Sequence, residues 1–261
     1  MLAARRQRRP RKRSSARTSC ITTARSRGPS IPVWNPAGTT VQPGVASSWE
    51  ISEDRRLYRF HLRPEARWSD GTPVLPEHFI AAWTRVLNPD THAGFANLLY
   101  PIKGARELHT GLTTDASTLG VRAIGQLTLE VELEAPVPYF LALTADAVML
   151  PISPECLKKH GWAWTAPENI VTNGPFVIAE WETGKQIVLE KCPRYWGADQ
   201  VPLQRVVALT APPEGGLLAG YKAGSVHWTG FSGDAIEEDQ WPSMVSDAGY
   251  REHASLVTGY L

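Results

Sequence analysis

Three cysteines, seven histidines and ten tryptophans are the residues of this 261-residue chain whose chemistry could announce a site. Cys20, Cys156 and Cys192 form an odd set without a C-x-x-C pair, and the histidines have no ligand spacing, so no metal centre is expected. A disulfide between Cys156 and Cys192 stays open for an oxidising compartment. Cys20 follows Arg17-Thr18-Ser19, which lacks the apolar residue of a lipoprotein signal, and a lipid anchor is unsupported. No G-x-S-x-G, H-E-x-x-H or P-loop string occurs, so neither an enzyme nor a cofactor is expected. Exposed indole faces could stack on sugars. Trp49, Trp68, Trp83, Trp181 and Trp196, however, fall within motifs or apolar stripes and read as core, while Trp162, Trp164 and Trp241 are undetermined. Asp70 is a free carboxylate on paper, yet Asp70-Gly71 is a strong turn dipeptide.

Charge is distributed unevenly. Residues 5–27 hold 10 of the 27 Lys and Arg, and the first acidic residue is Glu50, leaving 17 basic against 26 acidic residues elsewhere. The Arg5–Arg13 run has the charge of a nucleic-acid arm but no aromatic residue to stack on bases. Its Arg, Ser and Thr richness also fits an organellar transit peptide. Nothing between Met1 and Arg27 forms the apolar stretch of an export signal. No apolar run approaches the roughly 18–20 residues of a membrane span.

Behind these residues lie alternating periods of two and 3.6, the pattern of an α/β or α+β fold. Tyr58, Phe60 and Leu62 alternate with polar neighbours as a strand. After the Asp70-Gly71 turn, Pro76 suits a first helical position, Phe79, Ile80, Trp83 and Leu87 make one buried stripe, and Pro89 ends the helix. Residues 90–100 read as a loop. Val121–Ile124 is a strand, and Leu127, Leu129, Val131 and Leu133 face inward with Thr128, Glu130, Glu132 and Glu134 outward. Short helices are expected over Pro138–Thr144 and Pro154–His160, the latter closed by Gly161 with cations in its last turn. Phe176–Trp181 and Ile187–Cys192 flank Glu182–Lys185 as a hairpin. Leu203–Thr210 reads as a strand, Glu214–Ala223 as a helix stopped by Gly224, and Val226–Thr229 as a strand. Asn173-Gly174 suits left-handed backbone.

Six strings stand in a recognisable order. Pro43-Gly44-Val45-Ala46 leads to Trp49-Glu50, and the Trp68–Pro89 stretch follows. Gly120-Val121 with Leu127–Val131, Pro136–Phe140, Asn169–Phe176, and Val188–Lys191 before Pro193–Trp196 complete them. Together they resemble the bacterial extracellular solute-binding proteins of family 5, and Val171-Thr172-Asn173-Gly174-Pro175 is most similar to the oligopeptide branch.

That resemblance implies a class II-like periplasmic binding protein fold, α/β and α+β in part, present incompletely. Residues 1–32 are then a basic segment foreign to the family or a disordered tail, and 33–44 lead into the first lobe. Residues 45–165 form an accessory domain inserted in that lobe, 166–250 continue the lobe, and 251–261 begin a crossover to a missing second lobe. The implied function is the periplasmic, monomeric receptor of an ABC importer, holding extended oligopeptides by their backbone and delivering them to permease subunits. A truncated non-binding remnant, a receptor for dipeptides or nickel chelates, and a basic-tail nucleic-acid binder are the alternatives.

Phe95 occupies the place of a family tyrosine lining the peptide cleft, although it could instead pack under its loop. Phe231 and Ser232 stand where the family has an asparagine pair, and Asp146 falls near another cleft position. The family's anchor for the peptide amino group lies in the second lobe, and no residue here takes that role. Leu75 replaces the Thr or Ser expected to cap the helix at Pro76, a loss of about 1 kcal/mol.

Overall fold

The computed structural model describes residues 31–34 and 40–228. The basic segment before residue 31, Phe231, Ser232, Trp241 and the residues assigned to a crossover lie outside them.

The order of elements follows from the alternating patterns. β1 (Pro32–Trp34) pairs with β2 (Val41–Pro43). β3 (Ala46–Ile51), β4 (Leu57–Leu62), β5 (Val121–Ile124) and β6 (Thr128–Glu132) form an antiparallel sheet in the order β3-β4-β6-β5. Its inner face presents Tyr58, Phe60, Leu62, Leu129 and Val131, all buried. Gly120 permits the entry into β5: a Cβ there would lie 2.8 Å from the Glu132 carbonyl oxygen.

Helix α1 (Pro76–Leu87) has the predicted bounds, with Phe79, Trp83 and Leu87 buried in the same core as the sheet. Asp70 is a turn former, since its Oδ1 accepts from the backbone N–H and the hydroxyl of Thr72 while Gly71 takes φ +98°. The missing cap at Leu75 is partly replaced from the other side. His78 Nδ1 accepts the Leu75 N–H at 3.1 Å and the Trp68 indole N–H at 3.0 Å. This supplies one arm of a capping box without the usual hydroxyl.

Short helices follow at α2 (Ala105–His109), α3 (Phe140–Leu143) and α4 (Pro154–His160). Ser153 caps α4 through the Cys156 N–H, and Gly161 closes it at φ +55°. β7 (Phe176–Glu182) and β8 (Gln186–Lys191) make the expected hairpin around Gly184, and β9 (Arg205–Leu209) adds to β8. The described residues up to Trp181, with Ile187–Val207, form one compact unit. Glu182–Gln186 and the described residues from Ala208 onward, which include α5 (Gly216–Lys222), form another.

Several expectations fail for local physical reasons. Glu130 points away from the core yet is only 2% exposed. Its cross-strand neighbours are Arg59 on β4 and Arg122 on β5, whose guanidinium groups close over it from both sides. Trp181 is 47% exposed, because β7 leaves the core from Ala179 onward as it runs to the hairpin tip. Val226 does not begin a strand: its N–H and that of Ser225 fold back onto the Gly220 carbonyl at the end of α5. Asn173 is not among the non-glycine residues with positive φ, which in the described residues are Arg55, His92 and Phe95. Cys156 and Cys192 are both buried and unpaired, and the Cys156 thiol donates to the Asn169 carbonyl at 3.1 Å. The 90–100 segment is not plain loop but carries 3-10 turns at Pro89–Thr91 and Ala96–Leu99.

Candidate functional site

Helix α1 positions both described candidates. At its C-terminal end Asn88 caps the next turn through its Oδ1 and the Asp90 N–H. The chain then passes through left-handed His92 and Phe95 to the Ala96–Leu99 turn. Ala96 and Leu99 are buried and act as anchors, whereas the Phe95 ring is 76% exposed. Phe95 therefore does not pack under its loop. It holds φ +63° and ψ +15°, which for a bulky side chain is a strained backbone. A ring both strained and uncovered lacks a folding reason, and such positions cluster where ligands are met.

Asp146 opens a second turn, Ala147–Met149, and accepts the Val148 N–H on Oδ1 at 3.0 Å. Met149 is buried, and its carbonyl accepts the Trp83 indole N–H at 3.0 Å, so α1 grips this turn directly. The Ala96–Leu99 and Ala147–Met149 turns touch one another and both touch α1. The structure thus brings Phe95 and Asp146, 51 positions apart, to the starts of two packed turns. Phe231 and Ser232 cannot be placed beside them, since they lie outside the described residues.

Electrostatics near these turns are modest. Tyr100, after the first turn, shares a 2.8 Å hydrogen bond with His109 Nδ1, and the Arg106 guanidinium lies 4.9 Å from the Tyr100 ring centre. Among the described residues, no group of three or more His, Cys, Asp or Glu could hold a metal ion, and no helix is long and apolar enough to cross a membrane.

A separate open groove of about 580 Å³ lies along the outer side of α1, between Thr84, Arg85, Asn88 and Asp90 and the α4 end at Leu157 and Trp162. Sequence reasoning missed it. Trp162, whose role the sequence leaves undetermined, is exposed, with the Arg85 guanidinium 5.7 Å from its ring centre.

Comparison with known proteins places this geometry in context. The family described as bacterial extracellular solute-binding proteins, family 5 Middle, matches residues 40–261. The periplasmic oligopeptide-binding protein OppA of Escherichia coli K12 is 38% identical over 189 residues, 72% of this chain and 34% of its own length. The probable deoxycholate-binding periplasmic protein YgiS of the same organism is 38% identical over 199 residues, 76% of this chain and 37% of its own. Among solved structures, Burkholderia pseudomallei OppA superposes with a TM-score of 0.72 at 35% identity, covering 78% of this chain and 40% of that one. The chain spans about a third of the length of these curated relatives.

Proposed function

Because the chain belongs to the bacterial extracellular solute-binding proteins of family 5, we propose that it is part of an ABC importer's substrate receptor and takes extended oligopeptides by their backbone. The similarity to oligopeptide-binding relatives supports this reading. The structural observation that carries it is Phe95, held exposed in a strained conformation beside the Asp146 turn. In this proposal residues 45–165 are the accessory domain of the first lobe, 166–250 continue that lobe, and Phe95, Asp146, Phe231 and Ser232 line the ligand. The receptor works as a monomer outside the inner membrane, delivers peptide to permease subunits, and uses neither metal nor nucleic acid.

The four positions differ in what they offer. An extended peptide needs donors and acceptors for its backbone and roomy, hydrated pockets for its side chains. Asp146 retains an acceptor, since Oδ2 has no protein partner among the described residues. Phe95 offers only a ring face, where the family resemblance has a phenol. Its contribution is apolar contact without a hydrogen bond.

That substitution favours a second reading, in which the ligand is more apolar than a peptide, as deoxycholate would be for the equally similar relative YgiS, a probable deoxycholate-binding protein. Isothermal titration of the purified chain with a mixed tri- to pentapeptide set, and separately with deoxycholate, distinguishes the two. Peptide heats that fall in a Phe95→Ala variant are expected. Deoxycholate heats without peptide heats would replace the first reading by the second, and neither at millimolar ligand would overturn both. A micromolar complex is worth about 8 kcal/mol, and a chain offering only part of the contacts is expected to bind more weakly than that.

A further inference from the structure

The Trp68–Pro73 turn is a bracket that ties together three parts of the larger unit. It closes on itself through the Trp68 N–H and the Thr72 carbonyl at 2.8 Å. Towards the later chain, the Ser69 N–H donates to the Thr172 carbonyl at 2.7 Å and the Thr172 N–H returns to Ser69 Oγ at 3.2 Å. The Arg194 guanidinium donates to the Ser69 carbonyl at 2.9 Å. Towards α1, the bracket relies on His78.

His78 sits at the third position of α1, buried, with its ring 5.7 Å from that of Trp68. Its Nδ1 receives two donors, the Trp68 indole N–H at 3.0 Å and the Leu75 N–H at 3.1 Å. A nitrogen that accepts twice carries no proton, so the ring is the neutral Nε2–H tautomer. The two donors are themselves poorly placed to find water, since Trp68 is buried and Leu75 is half-buried at the helix start. Every other contact of the bracket joins backbone, hydroxyl, a permanently charged guanidinium or the Asp70 carboxylate, and none of them is an imidazole. His78 is therefore the one member whose hydrogen-bonding sense reverses near neutral pH.

We propose that His78 is an acid-sensitive lock between the Trp68–Pro73 turn and the start of helix α1. A proton arriving on Nδ1 turns the acceptor into a donor facing two donors. Both bonds are lost together, the indole and the Leu75 N–H are left unsatisfied, and α1 loses the side-chain cap that the described residues give its start. The Ser69–Thr172 and Ser69–Arg194 links remain, so the release is directed to the α1 side of the bracket.

The charged groups acting on the ring are Glu77 on its own helix, Glu155 on α4 and Asp70 in the turn. All three favour the protonated form. Burial opposes them and is the larger influence, so the imidazole is held below the ordinary histidine range. The sign follows from that depression. The unfolded chain takes up the proton at the ordinary histidine value and the folded chain resists it to lower pH. Stability from the lock is therefore complete above the ordinary value and drains away as pH falls through it towards the folded value. The lock depends on this geometry alone and stands whether or not the chain binds peptide.

The test combines spectroscopy with substitution on the 261-residue chain. Ring ¹⁵N shifts of His78 at pH 7.5 are expected to show an unprotonated Nδ1. The Trp68 indole proton is expected to move as the imidazole titrates. His78→Asn places an amide oxygen near Nδ1 as an acceptor that cannot titrate. It is expected to remove the part of the fall in thermal midpoint, several degrees, that the parent shows from about pH 7 to 5. His78→Ala is expected to lower the midpoint at both pH values. An Nδ1–H tautomer at pH 7.5, or a Trp68 indole signal unmoved through the His78 titration, overturns the proposal even if neither variant folds. So does a His78→Asn variant with the parent's full acid dependence.

Discussion

The two larger sheets of this chain put similar residues to different uses. In the four-stranded sheet, β4 and β6 send Phe60, Leu129 and Val131 into a core shared with Phe79, Trp83 and Leu87 of α1. In the three-stranded sheet, β9 is as apolar as β6, yet Val207 and Leu209 are 47% and 43% exposed, and Trp181 on β7 stands open as well. Apolar residues make a strand in both cases, but among the described residues a helix stripe of matching length lies across the first sheet alone. Stability should therefore concentrate in the first sheet and α1. The exposed residues that α1 positions, Phe95 and Asp146, are the two described positions proposed to meet a ligand.

The sharpest way to break this contrast is Trp83→Ala. The change empties the centre of the core and removes the bond to the Met149 carbonyl. A loss of about 3–5 kcal/mol is expected in urea unfolding. A loss below 1 kcal/mol would mean that α1 is not the scaffold described.

Glu130 comes next. Burial raises its carboxyl pKa, but hydrogen bonds and charge from Arg59 and Arg122 outweigh burial and hold it below the ordinary carboxylate range. Its contribution is present above the ordinary value and is lost as pH falls through the folded one. Both arginines keep solvent access, which discounts the interaction, so Glu130→Gln should cost about 1–2 kcal/mol at pH 7. The same variant should flatten the acid limb of the stability profile. An unchanged acid limb would assign that limb to other carboxylates.

Phe95→Gly separates folding from binding. Removing a side chain from left-handed backbone relieves about 1–2 kcal/mol, offset by roughly 0.5–1 kcal/mol from the freer unfolded glycine. Stability is expected to be unchanged or slightly raised, with ligand heats reduced. A clear destabilisation would show that the exposed ring holds the loop instead. The smallest effect is expected on β9, where Val207→Ser should change stability by less than about 0.5 kcal/mol, in contrast to several for Val131→Ser.

What could be read from the residues depended on whether the deciding interaction was local. Pro76 and Pro89 bound α1 because proline's missing N–H acts within a turn, and Gly184 and Gly161 marked a hairpin and a helix end for similarly local reasons. Glu130 escaped, since alternation marks the face of a strand but not the arginines that two neighbouring strands bring over it. Trp181 escaped because its stripe runs past the end of the core. His78 replaced a cap from three residues ahead, using an indole donor that no spacing rule links to it. The family of the chain was legible in six strings. The pairing of Phe95 with Asp146 was not, because it arises from two turns, far apart in sequence, that pack on each other and on α1.

The central claim, that α1 presents those two turns as one ligand-facing surface, is tested most directly by ¹H–¹⁵N chemical shifts of the chain titrated with tri- to pentapeptides. The account predicts that amides of Phe95–Leu99 and Asp146–Met149 shift together with one apparent affinity, while those of β4 and β6 stay in place. Shifts confined to other regions, or two groups moving with unrelated affinities, would contradict it.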